Sequence, residues 1–393
     1  MNLKRVLMLC PEPPYPLHGG GRMRTASLLE YFAGHGDVDV VIFRDPQERH
    51  GPFCFPAGMV RRVLTIQLPA HSRSRLARGS RNIIRALRGV PPLVDRFGGF
   101  HAQLARCLGR KSYELAIVEH FWCAPYVDIL RRCARRVILD LHNLDSAVLA
   151  SYAAQESLLR PIYHRFAQRS RALEAQLLPR FDTVLVTCQE DARLVRLLAP
   201  SSQVLVYPNA IPFRARPQEP KQQAVAFSGN LEYPPNRLAI QYFHRHIWPQ
   251  VRAQAPDAQW RIIGRHPEAV PERIRTDASV RLLGAVEDAL PHLAGARVAV
   301  APILTGGGTK VKILEAWAAG TAVVSSSAGA AGIPCRSGEH LLIADGPQEF
   351  ATAVCRLLQD PHWADQLAAN GRALYEKTFT WEAAWQALSS LTF

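Results

Sequence analysis

A glycine-rich turn in the C-terminal half carries residues that could hold a diphosphate. The run TGGGTKVK, residues 305–312, follows an apolar strand pattern and opens a helical one. The free amides at the start of that helix and the ammonium groups of Lys310 and Lys312 could converge on one anion. Within this turn, Gly307, Gly308 and Thr309 are candidate binding residues for the ligand that carries the diphosphate.

Glu315 lies in the first turns of the same predicted helix. Its apolar neighbours in sequence, Leu314, Ala316 and Trp317, argue against a freely exposed side chain. A carboxylate at this place could accept two hydrogen bonds from a ribose diol. The alternative is an ordinary ion pair with Lys312, three residues earlier on the same helical face.

A second glycine turn, Gly19-Gly20-Gly21-Arg22, follows the first strand pattern of the chain. Three glycines before a helix would let an anionic ligand approach the backbone amides closely. The dinucleotide fingerprint G-x-G-x-x-G fails because Arg24 occupies its last glycine position, and a phosphate-binding P-loop motif is absent. A loop that merely needs positive φ is the alternative.

Two other predicted strands end in polar residues. His120 closes LAIVEH, and His142 and Asn143 close the strand that ends in DLHN. Ligands of parallel sheets bind beyond the carboxyl ends of the strands, so these three side chains are candidates for the site. The alternatives are a surface histidine at a strand end and a structural turn.

The elements that must position these residues form two series. Short aliphatic runs alternate with amphipathic helical patterns up to residue 207, which predicts a parallel sheet with helices on both faces. Residues 208–220 hold four prolines and indicate a linker. The pattern restarts in residues 221–376, and residues 377–393 contain a last amphipathic helix. We therefore predict an α/β chain of two doubly wound, Rossmann-like domains in tandem.

Composition excludes several classes of protein. The 393 residues are 48% hydrophobic and 20% charged, an ordinary globular balance that rules out wholesale disorder. No stretch approaches the ~20 apolar residues of a membrane span, and the opening apolar run is too short for a signal peptide. Eight scattered cysteines without a C-x-x-C pair indicate neither a disulfide framework nor a zinc site. A cytoplasmic location fits these features.

The positive charge is concentrated in the first half. Residues 1–200 hold 29 Lys and Arg against 17 Asp and Glu, and the remainder holds 18 against 16. The densest stretch is the basic segment, residues 73–88, where Leu76, Ile83, Ile84 and Leu87 are interleaved with arginines. A solvated helix is the alternative to an interaction surface for nucleic acid, an anionic membrane or an acidic ligand. The arginines are Arg73, Arg75, Arg78, Arg81, Arg85 and Arg88.

Several segments, taken in order, resemble the GT-B retaining glycosyltransferases of family 4. Residues 308–326, GTKVKILEAWAAGTAVVSS, look like the donor-binding helix of that family. Residues 227–243, FSGNLEYPPNRLAIQYF, are similar to the opening of its second domain, and F-x-G-x4-P-P-N is typical of bacterial exopolysaccharide-cluster transferases. Residues 260–267 and 282–288 resemble later strand ends. Residues 19–41 are similar to the family's glycine loop and first helix.

This resemblance implies a transferase that uses a nucleotide-sugar donor with retention and needs neither metal nor cofactor. The donor would bind the C-terminal domain and a glycan or lipid-linked acceptor the N-terminal domain, with transfer in the cleft and the last helix crossing back. Glu315 matches the second carboxylate of the family's E-x7-E motif, and His120 matches a histidine at the transferred sugar. Further donor-binding positions are Gly19, Gly20, Gly229, Gly264, Arg265, Ala285 and Val286, and His142 and Asn143 are acceptor candidates.

The sequence also departs from the family pattern. The first carboxylate of E-x7-E falls on Gly307, and the basic residues that neutralise the donor phosphates fall on Asn230 and about Pro235, with Arg237 close by. We expect Lys310 and Lys312 to supply that positive charge and to act with His120 in catalysis. A degenerate, inactive transferase is therefore an alternative.

Other functions stay open at this point. A nucleotide-sugar epimerase or a phosphorylase would share the fold, although no cofactor lysine can be identified for the phosphorylase. A non-catalytic module for membrane or nucleic acid would rest on charge alone, and no nucleic-acid motif supports it. If the acceptor is lipid-linked, the basic segment would dock on an anionic membrane, at the inner face of the plasma membrane.

Overall fold

The computed structural model describes residues 4–46, 54–72, 74–155, 159–305 and 310–391. The chain forms two units. One unit comprises Met1–Pro208 together with Trp385–Phe393, and the other comprises Asn209–Ala384. Among the described residues, no helix combines the length and apolar character needed to cross a membrane.

The described part of the first unit contains a sheet of seven parallel strands flanked by helices. The strands are β1 (Arg5–Cys10), β2 (Asp37–Arg44), β3 (Arg62–Gln67), β4 (Tyr113–Glu119), β5 (Ala134–Leu141), β6 (Thr183–Val186) and β7 (Val204–Val206). The helices are α1 (Gly20–Ala33), α2 (Arg75–Arg88), α3 (Pro92–Phe97), α4 (His101–Leu108), α5 (Val127–Arg131), α6 (Asp145–Gln155), α7 (Arg160–Leu177) and α8 (Gln189–Leu198), with 3₁₀ turns at Phe121–Tyr126 and Leu178–Arg180.

The strand order is β3-β2-β1-β4-β5-β6-β7. In β1, the residues from Val6 to Cys10 are buried without interruption, as expected of a parallel strand that is covered on both faces. The order reverses between β1 and β4, where Val6 is the register partner of Leu115. Such a switch point opens a crevice at the carboxyl ends of the strands, and the polar strand ends lie there.

The described part of the second unit contains a parallel sheet of six strands in the order β10-β9-β8-β11-β12-β13. The strands are β8 (Gln222–Ser228), β9 (Gln259–Ile263), β10 (Val280–Gly284), β11 (Ala296–Ala301), β12 (Ala322–Ser325) and β13 (Leu342–Ile343). The helices are α9 (Pro234–Tyr242), α10 (Trp248–Gln254), α11 (Glu272–Arg275), α12 (Leu290–Ala294), α13 (Val311–Ala318), α14 (Ser327–Ala330), α15 (Pro347–Gln359), α16 (Pro361–Thr378) and α17 (Trp381–Leu388). A π turn, Phe243–Ile247, joins α9 to α10, and a 3₁₀ turn spans Pro267–Ala269.

The structure differs from the predicted elements in several places. The sequence pattern did not predict β3, α3, α4 or β13, which are short or lack a clear period. The pattern after residue 141 predicts one long helix to about residue 178, but this stretch forms two helices, α6 and α7. The pattern of residues 124–133 also predicts a helix. The segment starts instead as a 3₁₀ turn, because Pro125 cannot donate a helical backbone hydrogen bond.

The proline-rich stretch after residue 208 packs on the second unit. The amide of Ile211 donates to the carbonyl of Phe379 at 3.0 Å, and the hydroxyl of Tyr375 donates to the carbonyl of Pro212 at 2.9 Å. At the other end of the chain, the indole of Trp385 donates to the carbonyl and hydroxyl oxygens of Ser27 in α1, at 3.1 and 3.0 Å. The chain therefore passes from the first unit to the second near residue 208 and returns to the first unit within α17.

Candidate functional site

In the first unit, His120 lies directly after β4 in an unusual backbone conformation. Its φ is 63°, and non-glycine residues with positive φ are uncommon and often mark functional positions. Its amide donates to the carbonyl of Asp140 at 3.0 Å, which ties the end of β4 to the end of β5. The sheet edge therefore fixes the backbone from which the His120 ring projects.

Three rings stack at this sheet edge. The His120 ring lies 4.2 Å from that of Trp122 between centroids, with planes 9° apart, and 3.6 Å from that of His142. The indole of Trp122 donates to a carboxylate oxygen of Asp145 at 3.4 Å and stacks on Phe97. Contacts on both faces therefore hold the His120 ring in one plane.

Beneath His142 is a buried group that we call the charge cluster: Arg24, Glu119, Asp140 and His142. The Nε2 atom of His142 lies 3.0 Å from Glu119 Oε2 and 3.1 Å from Asp140 Oδ2. The Arg24 guanidinium donates to both oxygens of Asp140, at 2.5–3.0 Å. Thr25 donates to Glu119 at 2.8 Å. The cluster thus joins the ends of β4 and β5 to α1.

Mutual charges shift the pKa values of this cluster. Burial alone would raise the pKa of Asp140, but the charges of Arg24 and His142 hold it well below its ordinary value. Burial and the neighbouring Asp140 raise the pKa of Glu119. The pKa of His142 is raised, because the attraction of both carboxylates outweighs burial. Burial and the charge of His142 lower the pKa of His120.

Glu119, Asp140 and His142 each offer an atom of metal-ligand type, and these atoms lie within 4.8 Å of one another. However, the Arg24 guanidinium already binds both Asp140 oxygens, and Thr25 and His142 both bind Oε2 of Glu119. A cation at this place would have to displace a buried positive charge. The geometry therefore fits a hydrogen-bonded charge cluster better than a metal site.

In the glycine turn of the first unit, Gly21 is the residue that lies against the rings of His120 and His142. A Cβ atom on Gly21 would lie 3.7 Å from His142 Nδ1 and 3.8 Å from His120 Nε2. Gly19 is exposed and precedes α1 with a φ of 98°, and Gly20 is the first helical residue. The family resemblance assigned donor binding to Gly19 and Gly20, whereas Gly21 is the glycine of this turn that lies nearest to the two histidine rings.

The predicted acceptor residues differ in their surroundings. His142 is buried at 6% exposure and belongs to the charge cluster. Asn143 is half-buried, and among the described residues no group hydrogen-bonds its buried Oδ1 atom. An acceptor role for either residue stays a prediction.

In the second unit, the ends of three neighbouring strands are shaped by glycines. A Cβ atom on Gly264, after β9, would lie 1.8 Å from the carbonyl oxygen of Gly229, after β8. A Cβ atom on Gly229 would lie 2.7 Å from the side-chain amide of Asn236. The close approach of the two turns therefore requires glycine at position 264, and Gly229, with a φ of 149°, leaves room for the side chain of Asn236. The next strand, β10, ends at Gly284 with a φ of 70°.

Lys312 is directed toward this glycine turn. Its Nζ atom donates to Oδ1 of Asn236 at 2.7 Å and lies 3.9 Å from the ring centroid of Phe227. Asn236 in turn donates to the carbonyl of Asn230 at 2.8 Å. Burial lowers the pKa of Lys312 to about 7, with Glu315 opposing this shift and Lys310 adding to it. Its amine is thus held by an uncharged amide and an aromatic face.

Glu315 accepts a hydrogen bond from the hydroxyl of Ser228, the last residue of β8, at 3.1 Å. Burial raises the pKa of Glu315. Since Lys312 donates to Asn236 and Glu315 accepts from Ser228, these contacts favour a site over the simple helix ion pair. Lys310 is the N-cap residue of α13. The candidate binding residues Gly307, Gly308 and Thr309 lie outside the described residues.

The other predicted donor-binding residues lie around these strand ends. Arg237 is exposed on α9, Arg265 is half-buried after β9, and Ala285 and Val286 follow β10. Sequence reasoning named Gly21 only as a member of the glycine turn, and it missed Arg24, Glu119 and Asp140 in the first unit and Ser228 and Asn236 in the second. Asp140 and Glu119 do stand beside predicted histidines, so polar residues ending apolar strands were the available signal.

Two family models match the chain. A glycosyl transferase 4-like domain matches residues 19–210, and the glycosyl transferases group 1 model matches residues 222–360. An uncharacterised 44.6 kDa protein of the cps region of Klebsiella pneumoniae is 21% identical, over 96% of this chain and 97% of that protein. A GDP-mannose-dependent monoacylated alpha-(1-6)-phosphatidylinositol monomannoside mannosyltransferase of Corynebacterium glutamicum is 32% identical, over 36% of this chain and 41% of that protein.

Solved structures share the architecture. Sucrose-phosphate synthase from Thermosynechococcus elongatus matches with a TM-score of 0.70 and 22% identity, over 98% of this chain and 97% of that one. Anabaena HepE, in complex with UDP and glucose, matches with a TM-score of 0.66 and 17% identity, over 98% and 99% of the two chains. These matches confirm the predicted fold. The chain therefore belongs to the group 1, family 4 glycosyltransferases and has the GT-B fold.

Proposed function

We propose that this glycosyltransferase moves a sugar from a nucleotide-sugar donor to an acceptor hydroxyl, with retention and without a metal ion. The observation that carries the proposal is the arrangement at the carboxyl end of the second sheet. There Ser228 fixes the Glu315 carboxylate, Asn236 fixes the Lys312 amine, and Gly229 and Gly264 hold two turns in close contact. A carboxylate for a ribose diol and an amine for a diphosphate thus lie on one helix, α13.

The chemistry requires stabilisation of two opposite charges. When the bond between sugar and phosphate breaks, positive charge develops on the sugar ring and negative charge on the leaving diphosphate. Lys312 and the start of α13 would meet the negative charge, and His120 would hydrogen-bond the transferred sugar. Glu119 and Asp140 are occupied by Arg24, Thr25 and His142. Asp140 is bound at both oxygens. Glu119 is fully buried, although its Oε1 atom accepts no hydrogen bond from the described residues. Neither carboxylate is therefore placed to attack a sugar, which favours same-face attack assisted by the departing phosphate.

The donor class is the first thing to measure. HepE was crystallised with UDP and glucose, and the Corynebacterium relative is GDP-mannose-dependent, so both nucleotides belong in the panel. We would record the melting temperature with UDP, GDP, ADP and TDP and with their common sugars. A ligand that binds only the folded protein stabilises it by RT ln(1 + [L]/Kd), so one nucleotide should stand out.

Glu315→Ala should abolish that shift, and Glu315→Gln should leave part of it, because an amide oxygen can still accept one hydrogen bond from the diol. Glu349→Ala is the matched control, since Glu349 is exposed on α15 of the same unit. If no nucleotide changes the melting temperature of the wild type, the donor proposal is wrong. Release of free sugar or of an epimerised donor, without any acceptor product, would instead favour a hydrolase or an epimerase.

For the acceptor, we propose a lipid-linked glycan reached from an anionic membrane surface. The specific observation is the exposed apolar side of α2. Leu76 and Leu87 are 89% and 74% exposed, and Ile83 and Ile84 are each 54% exposed. Leu76, Ile83 and Leu87 recur at helical spacing, and exposed apolar stripes on basic helices are typical of membrane-surface binding.

The arginines of α2 are only partly available for such a surface. Arg85 pairs with Asp95 of α3 at 2.8 Å, and Arg81 donates to the carbonyl of Ser72 at 2.8 Å. Arg88 lies 3.7 Å from Asp95 and stays 64% exposed. Arg73 and the side chains of Arg75 and Arg78 lie outside the described residues. Each cation at an anionic surface contributes about 1 kcal/mol, so the apolar stripe must supply part of the binding.

Sedimentation with vesicles tests this surface. The wild type should bind phosphatidylglycerol vesicles at low salt and should not bind phosphatidylcholine vesicles. The double variant Leu76→Gln and Leu87→Gln should lose binding, whereas Leu197→Gln should retain it. Leu197 is a fair control because it is 78% exposed on α8 of the same unit. Unchanged binding of the double variant would contradict the proposal, as would preferential binding of nucleic acid.

A further inference from the structure

The formal charges of the charge cluster sum to zero when Glu119 and His142 together carry one proton more than a carboxylate and a neutral imidazole. Ionised Glu119 and Asp140 contribute two negative charges, and Arg24 contributes one positive charge. Arg24 donates several hydrogen bonds to Asp140 and so neutralises that carboxylate. The charge of Glu119 must then be neutralised by the His142 ring. Isolated charges are costly to bury, and Nε2 of His142 faces both carboxylates at 3.0–3.1 Å. The raised pKa of His142 agrees with this balance.

We propose that His142 is a positioning residue for His120: the carboxylates hold the His142 ring, and that ring fixes its stacked neighbour in place and in the uncharged form. The inference rests on the proposed function, in which His120 contacts the transferred sugar. A neutral imidazole can hydrogen-bond a sugar hydroxyl there, whereas a second imidazolium would repel the positive charge that develops on the sugar ring. The 3.6 Å ring separation makes two adjacent positive charges unfavourable as well.

Charged groups on several neighbouring elements surround the two rings, and burial together with their net effect lowers the pKa of His120. Burial lowers the pKa of His120 first, and the charge of His142 lowers it further; Asp140 opposes this shift, and Arg24 adds to it. The ion pair of Glu12 and Arg22, at 2.9 Å, lies beside the start of α1. The titratable and charged groups around the two rings are Cys10, Glu12, Arg22, Arg24, Glu119, Cys123, Asp140, Asp145 and Tyr207.

Both rings also direct a nitrogen toward Gly21. Nδ1 of His142 and Nε2 of His120 lie 3.7 and 3.8 Å from where a Cβ atom on Gly21 would be. Among the described residues, no protein group hydrogen-bonds this Nδ1 of His142. With Nε2 committed to the carboxylates, a charged His142 presents an N–H group at Nδ1 to a ligand held against the start of α1. His142 would therefore act both through His120 and through this donor.

Histidine NMR tests the inference on the protein alone. We would label the ring nitrogens with ¹⁵N, assign the two signals with His120→Gln and His142→Gln, and titrate the wild type. We expect His142 to stay an imidazolium above the ordinary histidine pKa of about 6.5, and His120 to stay neutral below it. If both rings titrate together near that value, the inference is overturned; the titration itself is made on the wild type, and the variants serve only to assign its signals.

His142→Gln then asks whether His142 controls His120. Glutamine keeps a donor for the carboxylates but removes the ring and its charge, so the titration midpoint of His120 should rise by about one pH unit or more. His142→Phe restores stacking without charge and should show the same rise. His164→Gln, on the exposed face of α7, is the control and should leave the midpoint unchanged. An unchanged midpoint in both His142 variants would overturn the inference.

The transfer assay separates this inference from the proposed function. With donor and acceptor, His142→Gln should lose kcat increasingly below about pH 6.5, where His120 becomes charged. If kcat of His142→Gln falls at low pH in the same way as kcat of the wild type, the positioning role is contradicted. The ring titrations need no substrate. If no nucleotide in the panel binds, the proposed function is overturned, but the charge states of the two rings are still tested by NMR.

Discussion

The two units use charge differently at the carboxyl ends of their sheets. In the first unit, Arg24, Asp140, His142 and one oxygen of Glu119 are hydrogen-bonded in a buried cluster, and the atoms nearest to Gly21 are ring nitrogens of His120 and His142. In the second unit, Lys312 is held by an amide and an aromatic ring and Glu315 by a hydroxyl. The first arrangement holds buried charges against one another beside a stacked ring, whereas we propose that a ligand completes the charged groups of the second.

The largest expected effect comes from breaking the charge cluster. Asp140→Ala removes the partner of a buried guanidinium, and such a change costs about 3–5 kcal/mol of unfolding free energy. Urea denaturation followed by circular dichroism would measure it. Asp277→Ala is the control, because Asp277 forms a less buried pair with His244 at 2.9 Å. A loss below about 1 kcal/mol for Asp140→Ala would show that the cluster does not stabilise the first unit.

The matching change in the second unit should affect binding more than stability. Lys312→Met keeps the aliphatic stem and removes the amine, so we expect the unfolding free energy to change by less than about 1.5 kcal/mol. Affinity for the donor diphosphate should fall by about 10-fold or more, since a charge-assisted hydrogen bond contributes about 1.5–3 kcal/mol. Calorimetric titration with the nucleotide from the panel would measure this. Lys377→Met, at the end of α16, is the control.

The units should also respond oppositely to alkaline pH. The folded-state pKa of His142 lies above its unfolded value, so its stabilisation is present below about pH 6.5 and is lost as pH rises through the folded pKa. The pKa of Lys312 is shifted in the opposite direction on folding. Its folded pKa of about 7 lies below the unfolded value of about 10.4, so stability increases with pH between them.

Hydrogen exchange of peptides from each unit, corrected for intrinsic rates, would measure this divergence. Protection in the first unit should decrease above about pH 6.5 and that in the second should increase above about pH 7. His142→Gln should remove the first trend. Lys312→Met should weaken the second trend without abolishing it, because burial also lowers the pKa of Lys221, in the same unit, to about 7. If protection changes with pH in the same direction in both units, the proposed difference between the His142 and Lys312 titrations is wrong.

The smallest effect on stability is expected for Gly21→Ala. The added Cβ would meet its neighbours at 3.7–4.0 Å, an ordinary van der Waals distance, so the unfolding free energy should change by less than about 1 kcal/mol. The methyl group would nevertheless fill the space that both histidine nitrogens face, and transfer activity should be lost. Gly346→Ala is the control, since its nearest neighbour also lies at 3.7 Å. Wild-type activity in Gly21→Ala would show that this space holds no ligand.

Much of the fold and part of the site could be predicted from sequence. The alternation of aliphatic and amphipathic segments predicted two parallel sheets, because parallel strands covered on both faces leave a continuous apolar signal. His120, Lys312 and Glu315 were singled out because they follow apolar strands or open a helix. Short elements such as β3 and β13 were missed, since a strand of a few residues at a sheet edge has little period to detect.

Residue partners were much harder to predict. The sequence suggested a pair between Lys312 and Glu315, yet Asn236, 76 residues away, holds the lysine and Ser228 holds the glutamate. Likewise the basic segment contains no acid of its own, but α3 brings Asp95 to Arg85. These contacts depend on how elements pack, and local spacing carries no information about them.

By itself, the sequence determined the family, the two α/β series and the strand ends where polar residues gather, because periodicity and motif order are local properties of the chain. Only the tertiary structure decided that Arg24, Glu119, Asp140 and His142 form one cluster, that Gly21 faces both histidines, and that Gly264 must admit the carbonyl of Gly229. The physical reason is that desolvation and close packing act between residues distant in sequence, so the charge of a ring or the need for a glycine is set by neighbours that the fold supplies.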